Sequence, residues 1–301
     1  MWQELSTQLQ AGDIKALARC ISLVENEQEG YMQFLQQLPA HDAKITGITG
    51  PPGAGKSTLV DSLIAVLVES NKKVGVLCID PSSPFNLGAL LGDRIRMSQW
   101  YAHPNVFIRS LASHGSMGGL SPMIIEITAL LKAAAFDHLI IETVGIGQSE
   151  IEIAGLADIT VVVLVPEAGD EIQTMKAGLM EIADIFVVNK SDRPGADHFV
   201  KNLRQLLAPA YSRQTHEIPV IKTIASEKKG VNELANEILK QSSHQTTEKK
   251  TYLLARKAWH ILQRIRMKDF NLKKIEQMIA VESGKESFNL FRLIEEINNR
   301  H

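Results

Sequence analysis

Three short stretches hold residue types at spacings that can do chemistry. The first, Gly50 to Ser57, reads GPPGAGKS and matches G-x-x-x-x-G-K-[ST] in full. Its glycines let backbone N–H groups point into the loop and wrap phosphate oxygens, and a helix beginning there adds the positive end of its dipole. Gly50, Pro51, Pro52, Gly53, Ala54, Gly55, Lys56, Ser57 and Thr58 are therefore the candidate phosphate contacts. Lys56 is expected to bridge β- and γ-phosphates, and Ser57 to give its hydroxyl to Mg²⁺.

The second stretch, NKSD from Asn189 to Asp192, follows an apolar run and matches N-K-x-D, which reads guanine. Asp192 can accept from both N1–H and the exocyclic amine of guanine, whereas adenine offers an unprotonated N1 and no amine at C2. A charge-assisted hydrogen bond is worth roughly 1.5–3 kcal/mol, so two of them, reversed into a repulsion for adenine, can decide the base. Asn189 is expected to hold the loop and the Lys190 stem to cover one face of the base. TIASEKKG, from Thr223 to Gly230, supplies a further loop that places Ala225 and Ser226 near the base oxygen. GTP and GDP are the expected ligands, with Mg²⁺.

The third is a set of acids that end strands or follow them: Asp80, Asp93 and Glu142. Glu142 ends HLIIE, where a metal-binding acid is expected, and reaches further than an aspartate by one C–C bond, about 1.5 Å. It can touch a Mg²⁺-bound water, or the water that attacks the γ-phosphate. Three residues on, Gly145 can present its backbone N–H to that phosphate. Asp80 opens DPSSP, and Asp93 lies in GALLGDRIRM. Lys56, Glu142, Asp93 and Gly145 form the candidate catalytic set, and Ser57, Asp80, Asp93 and Glu142 the candidate metal set.

These groups need a scaffold that brings strand ends together. KITGIT, KVGVLCID, VFIRSL, HLIIET, ITVVVLV, IFVVNK and PVIKTIA read as strands, and KSTLVDSLIAVLVES, SPMIIEITALLKAAA, EIQTMKAGLMEIA, HFVKNLRQLL and VNELANEILKQ as helices between or after them. Such alternation predicts an α/β fold with a doubly wound, mainly parallel sheet. Residues 1–43 read as helices, with Ala16, Leu17, Ile21, Leu23 and Val24 near a 3.6 period. The P-loop domain is expected over 44–241. A polar linker, SSHQTTEKK, then opens a helical segment over 242–301.

The 301 residues suffice for a full core. A net charge of -2 gives no reason to expect nucleic-acid binding. The segment after Ser242 has twelve Lys/Arg against seven Asp/Glu, which reads as a solvated helical face. No apolar run reaches the ~18 residues a membrane span needs. MWQELSTQLQAGD has neither a basic start nor an apolar core, so a cytoplasmic setting is expected. Cys78, in an apolar run far from Cys20, reads as a buried thiol.

DPSSP, LGDRIRM, GGLS and above all ETVGIGQSE, together with GPPGAGKST and NKSD, resemble the MeaB/ArgK family of P-loop GTPases over nearly the whole chain. That resemblance implies a GTP-hydrolysing chaperone that assists cofactor loading and protection of a cobalamin-dependent acyl-CoA mutase such as methylmalonyl-CoA mutase. In this family a glutamate is usual at the position of Glu142. The resemblance also implies a homodimer held by the C-terminal helical arm, for which Trp259, Leu262, Ile265 and Phe270 supply an apolar side. The chain departs from the family where Asn86, Leu87 and Gly88 follow DPSSP-x in place of Thr-Gly-Gly, and where His114 replaces a common arginine. A metal-insertion GTPase is the main alternative, but it would carry a Cys/His ligand cluster, and the nine histidines here are scattered. An ATP-using transport kinase conflicts with NKSD, and a DNA-segregation ATPase would have an early second lysine where Pro51 and Pro52 stand.

Overall fold

A computed structural model describes residues 1–39, 41–80, 97–112, 120–143, 152–168, 180, 182–211, 218–243, 247–268, 270, 272–282 and 288–299. The chain forms two compact units, Met1–Leu253 and Leu254–His301.

The first unit opens with three helices, α1 (Trp2–Gln10), α2 (Ile14–Glu25) and α3 (Tyr31–Gln36). The start of α2 is closed by its own sequence: the Asp13 carboxylate accepts from the N–H groups of Lys15 at 2.7 Å and Ala16 at 3.2 Å. Ala16, Leu17, Cys20, Ile21 and Val24 lie on one helical face and are buried. They share a core with Ile45, Leu77 and Leu139 of the sheet, so the N-terminal helices are part of this unit's packing.

The α/β portion runs β1 (Lys44–Thr49), α4 (Lys56–Glu69), β2 (Val74–Asp80), β3 (Val106–Ala112), α5 (Ile124–Ala133), β4 (His138–Glu142), β5 (Ile159–Leu164), β6 (Ile185–Val188), α6 (Ala196–Tyr211), β7 (Val220–Lys222) and α7 (Val231–Ser243). Its strands form one seven-stranded sheet in the order β3-β2-β4-β1-β5-β6-β7. Every pairing is parallel, as the alternation of strands and helices predicts. All six residues of β5, ITVVVL, are buried, which is how a strand covered on both faces reads. Alternate residues serve opposite faces: Ile45 and Leu77 pack under α2 and α5, while Ile48, Val76 and Val161 pack under α4 and α7. Each fully buried Leu, Ile or Val contributes roughly 1.5–3 kcal/mol to this core.

At the opposite edge of the sheet from the glycine loop, His138 is 2 % exposed and its Nε2 lies 2.8 Å from Thr46 Oγ1. Burial pushes its imidazole down to about 4, against the opposing pull of Asp158 and Asp137. Both cysteines are buried free thiols. Burial raises that of Cys20 to about 11.

Helix α8 (Thr247–Arg266) begins in the first unit, where Lys249 Nζ donates to Asp184 Oδ1 at 2.6 Å and Leu253 is buried. The second unit holds the rest of α8 with α9 (Leu272–Glu282) and α10 (Leu290–Asn299). Here Leu293 is buried, but Leu254, Trp259, Leu262, Ile265, Val281 and Phe291 are exposed, Phe291 to 83 %. No helix among the described residues is long and apolar enough to cross a membrane.

Candidate functional site

The parallel sheet gathers the chemistry-bearing residues because each sits just past the carboxyl end of a strand. The glycine loop follows β1, NKSD follows β6 and TIASEKKG follows β7, while Glu142 closes β4 between β1 and β2, in register with Ile48 and Cys78. This carboxyl edge is where open α/β sheets bind ligands.

Two glycines of the loop are required by shape. Gly50 has φ +136°, and a Cβ there would stand 2.1 Å from the carbonyl oxygen of Val163. Gly55 has φ +85°, and a Cβ would meet the Asn189 amide nitrogen at 2.5 Å. No L side chain fits either place without moving backbone or a buried amide. Lys56 is 6 % exposed, and its ammonium donates to the Gly50 carbonyl at 2.8 Å and the Pro51 carbonyl at 3.0 Å. The cation is thus held over its own loop.

The 14-residue helix α4 starts at Gly55 with no side-chain cap. The positive end of its dipole lies at the glycine loop, which suits a nucleotide phosphate. Ser57, in that first turn, donates its hydroxyl to Glu142 Oε1 at 2.6 Å. Both residues are buried, at 7 % and 5 % exposure. A hydroxyl and a carboxylate side by side at the phosphate loop are oxygen donors of the kind a hard divalent cation such as Mg²⁺ takes. The residues present therefore fit both a nucleotide phosphate and its metal.

The candidate base site is braced against the phosphate loop. Asn189 is 2 % exposed; its Nδ2 donates to the Ala54 carbonyl at 3.0 Å, and its Oδ1 accepts from Thr223 Oγ1 and from the Ala225 N–H, both at 3.1 Å. Lys190 Nζ donates to the Gly53 carbonyl at 2.8 Å. The Ser191 N–H donates to the Thr223 carbonyl at 3.1 Å, tying the two base loops together. Asp192 is exposed at the tip, while Ala225 is buried at the start of a short turn that includes Ser226.

Gly50 through Thr58, Glu142, Asn189, Lys190 and Ala225 are thus brought to one corner. Asp80 ends β2 beside Ala112 of β3, at the same sheet edge. Asp93 and Gly145 lie outside the described residues, as do Asn86, Leu87, Gly88 and His114. The sequence reading missed Thr223, which supports Asn189, and the pair of Thr143 and Thr49, whose hydroxyls meet at 2.9 Å beside the phosphate loop. Thr223 opens the TIASEKKG loop already singled out, directly after β7, and that placement is the signal that could have marked it.

A family model described as methylmalonyl-CoA mutase-associated GTPase MeaB matches residues 17–277. The chain belongs to the MeaB family. A putative GTPase of Pyrococcus abyssi is 47% identical to it over 243 residues, 79% of this chain and 75% of that protein. A fused isobutyryl-CoA mutase of Geobacillus kaustophilus is 37% identical over 234 residues, 73% of this chain and 22% of that protein. Among solved structures, one of an LAO/AO transport system kinase has a TM-score of 0.67 at 26% identity, covering 95% of this chain and 87% of its own. This MeaB-family chain is a P-loop GTPase, and as such binds guanine nucleotide.

Proposed function

We propose that this GTPase assists cofactor loading and protection of a cobalamin-dependent acyl-CoA mutase, of the methylmalonyl-CoA or isobutyryl-CoA type, and that it works as a homodimer joined through its C-terminal helices. The observation that carries the reading is the relative from Geobacillus kaustophilus, a fused isobutyryl-CoA mutase in which a segment similar to this chain makes up 22% of the protein. The family description, mutase-associated GTPase, points the same way. The exposed apolar residues of the second unit support the dimer.

In this reading the P-loop amides and Lys56 take the β- and γ-phosphates, and Asp192 reads N1–H and the amine of guanine. Ala225 and Ser226 face the base oxygen. Ser57 and Glu142 hold Mg²⁺, with Asp80 and Asp93 as further candidates. Bound there, the metal neutralises charge on the phosphate oxygens. Glu142 also orients the attacking water, and Gly145 gives its N–H to the γ-phosphate. Lys56 adds positive charge where negative charge develops as the bond to the γ-phosphate breaks. Nucleotide state can act on a mutase only through a difference in affinity between the GTP- and GDP-bound forms.

The test is a binding assay with the protein loaded with GDP or with a non-hydrolysable GTP analogue, mixed with each of the two mutases. Co-elution that depends on which nucleotide is bound supports the proposal. Equal behaviour in both nucleotide states, or no complex with either mutase, contradicts it.

A further inference from the structure

Helix α4 reaches three different elements with three side chains. Ser57 meets Glu142 at the end of β4. Asp61 accepts from Trp100 Nε1 at 2.7 Å and from Gln99 Nε2 at 2.9 Å. Ser62 donates its Oγ to the carbonyl of Ala225 at 2.6 Å, across a sequence separation of 163. A serine inside a helix commonly bonds back to its own preceding turn or points to water. Ser62 is 4 % exposed and crosses to the loop after β7 instead.

That crossing falls on the residue that the base loop turns around. The Ala225 N–H donates to Asn189 Oδ1, and the Ala225 carbonyl accepts from Ser62 and, at 3.2 Å, from the N–H of Lys228. Asn189 in turn bonds to Ala54 of the phosphate loop. The loop is therefore held to the phosphate site twice, once through Asn189 and once through Ser62. The second tie is the shorter of the two bonds on the Ala225 carbonyl.

We infer that Ser62 is a positioning residue for guanine recognition: it fixes the turn at 225–227 against the phosphate helix, so that the Ser226 N–H, next to Ala225, meets the 6-oxo group of the base at a set place. The inference rests on the proposed reading in which Ala225 and Ser226 face the base oxygen. A hydrogen bond weakens steeply as its angle closes, so a loosened turn loses the base-oxygen contact first. Asp192, on the other loop, keeps its contacts with N1–H and the amine. Ser62 touches no part of the nucleotide in this account and acts only through Ala225.

The experiment compares two ligands on the full chain. Displacement titrations give the affinities of GDP and of 6-thio-GDP, in which sulfur, a weak acceptor, replaces the 6-oxo group while N1–H and the amine remain. The wild-type protein is expected to prefer GDP. Ser62→Ala is expected to shrink the preference roughly 3- to 10-fold, the scale of one neutral hydrogen bond. Partial unfolding of the variant would weaken both ligands together and leave the ratio untouched, so the ratio isolates the positioning role. A variant with the wild-type ratio, whatever its absolute affinities, overturns the inference. A wild-type ratio of one overturns the base-oxygen contact itself, and with it the proposed base site.

Discussion

The nucleotide corner of the first unit and the helices of the second treat exposed chemistry in opposite ways. In the corner, side chains complete one another: Lys56 sits on two carbonyls of its own loop, Ser57 on Glu142, Asn189 on Ala54, Thr223 and Ala225. Each is nearly buried. The helix start at α4 is an instructive exception, since it has no side-chain cap where α2 has Asp13. The described residues of the second unit include large apolar side chains open to solvent. Trp259, Leu262, Val281 and Phe291 stand well exposed. The first region has polar positions ready for a small charged ligand, and the second has surface suited to another protein. Separate partners should therefore be separable by mutation.

The largest expected effect is at Glu142. Glu142→Gln keeps the shape and an oxygen for the Ser57 hydroxyl but removes the charge. Single-turnover GTP hydrolysis should fall by about 10- to 1,000-fold, the range for losing a general base or orienting group. GDP affinity should move only a few-fold, because the P-loop and guanine contacts are left alone. A wild-type hydrolysis rate would make Glu142 structural and turn attention to Asp80 and Asp93.

Next comes base choice. Asp192→Asn should weaken GDP by roughly 10- to 100-fold, on the scale of one or two charge-assisted hydrogen bonds. It should also admit xanthine nucleotides, since an amide can donate to the extra carbonyl. Competition against labelled GDP reads both, and an unchanged GDP/XDP preference would remove Asp192 from the base site.

A third prediction concerns the sheet beneath the corner. His138 has a folded pKa of about 4, below the ordinary 6.5. Unfolded chains therefore take up the proton first as pH falls. The stability of the first unit should be complete above about pH 6.5 and decline toward pH 4, by about 2 kcal/mol between pH 7 and 5 from this group alone. Denaturant titrations of the wild type and His138→Gln at the two pH values should differ by that amount. Identical pH dependence would mean that the imidazole is not kept neutral by burial.

How much of this was legible in the sequence follows the distance between the residues concerned. The phosphate loop and the start of α4 are contiguous, so GPPGAGKS carried both the loop and its helix. The parallel sheet was readable from runs such as ITVVVLV, because a strand buried on both faces has to be apolar throughout. The strand order was not readable: β4 inserts between β2 and β1, and only the packing of the crossover helices decides that. Within the candidate site, Asn189 and Asp192 stood out as parts of one four-residue motif. Ser62 did not, because nothing in KSTLVDSLIAVLVES marks one of two interior serines for a partner 163 residues away. The Lys190 stem was expected to cover one face of the base, but the motif says nothing of its ammonium, which bonds to the Gly53 carbonyl, a contact set by how closely the β1 and β6 loops approach.

The most direct test of the comparison ends the chain at Leu253, after the turn of α8 held by Lys249 on Asp184 and by the buried Leu253. GDP titration and light scattering are then run on the truncated and full-length proteins side by side. GDP affinity is expected to stay within about three-fold of the full chain, with no displacement by ATP and a change from dimer to monomer. A truncated protein that folds yet loses GDP, or that remains dimeric, would contradict the division of labour between the two units.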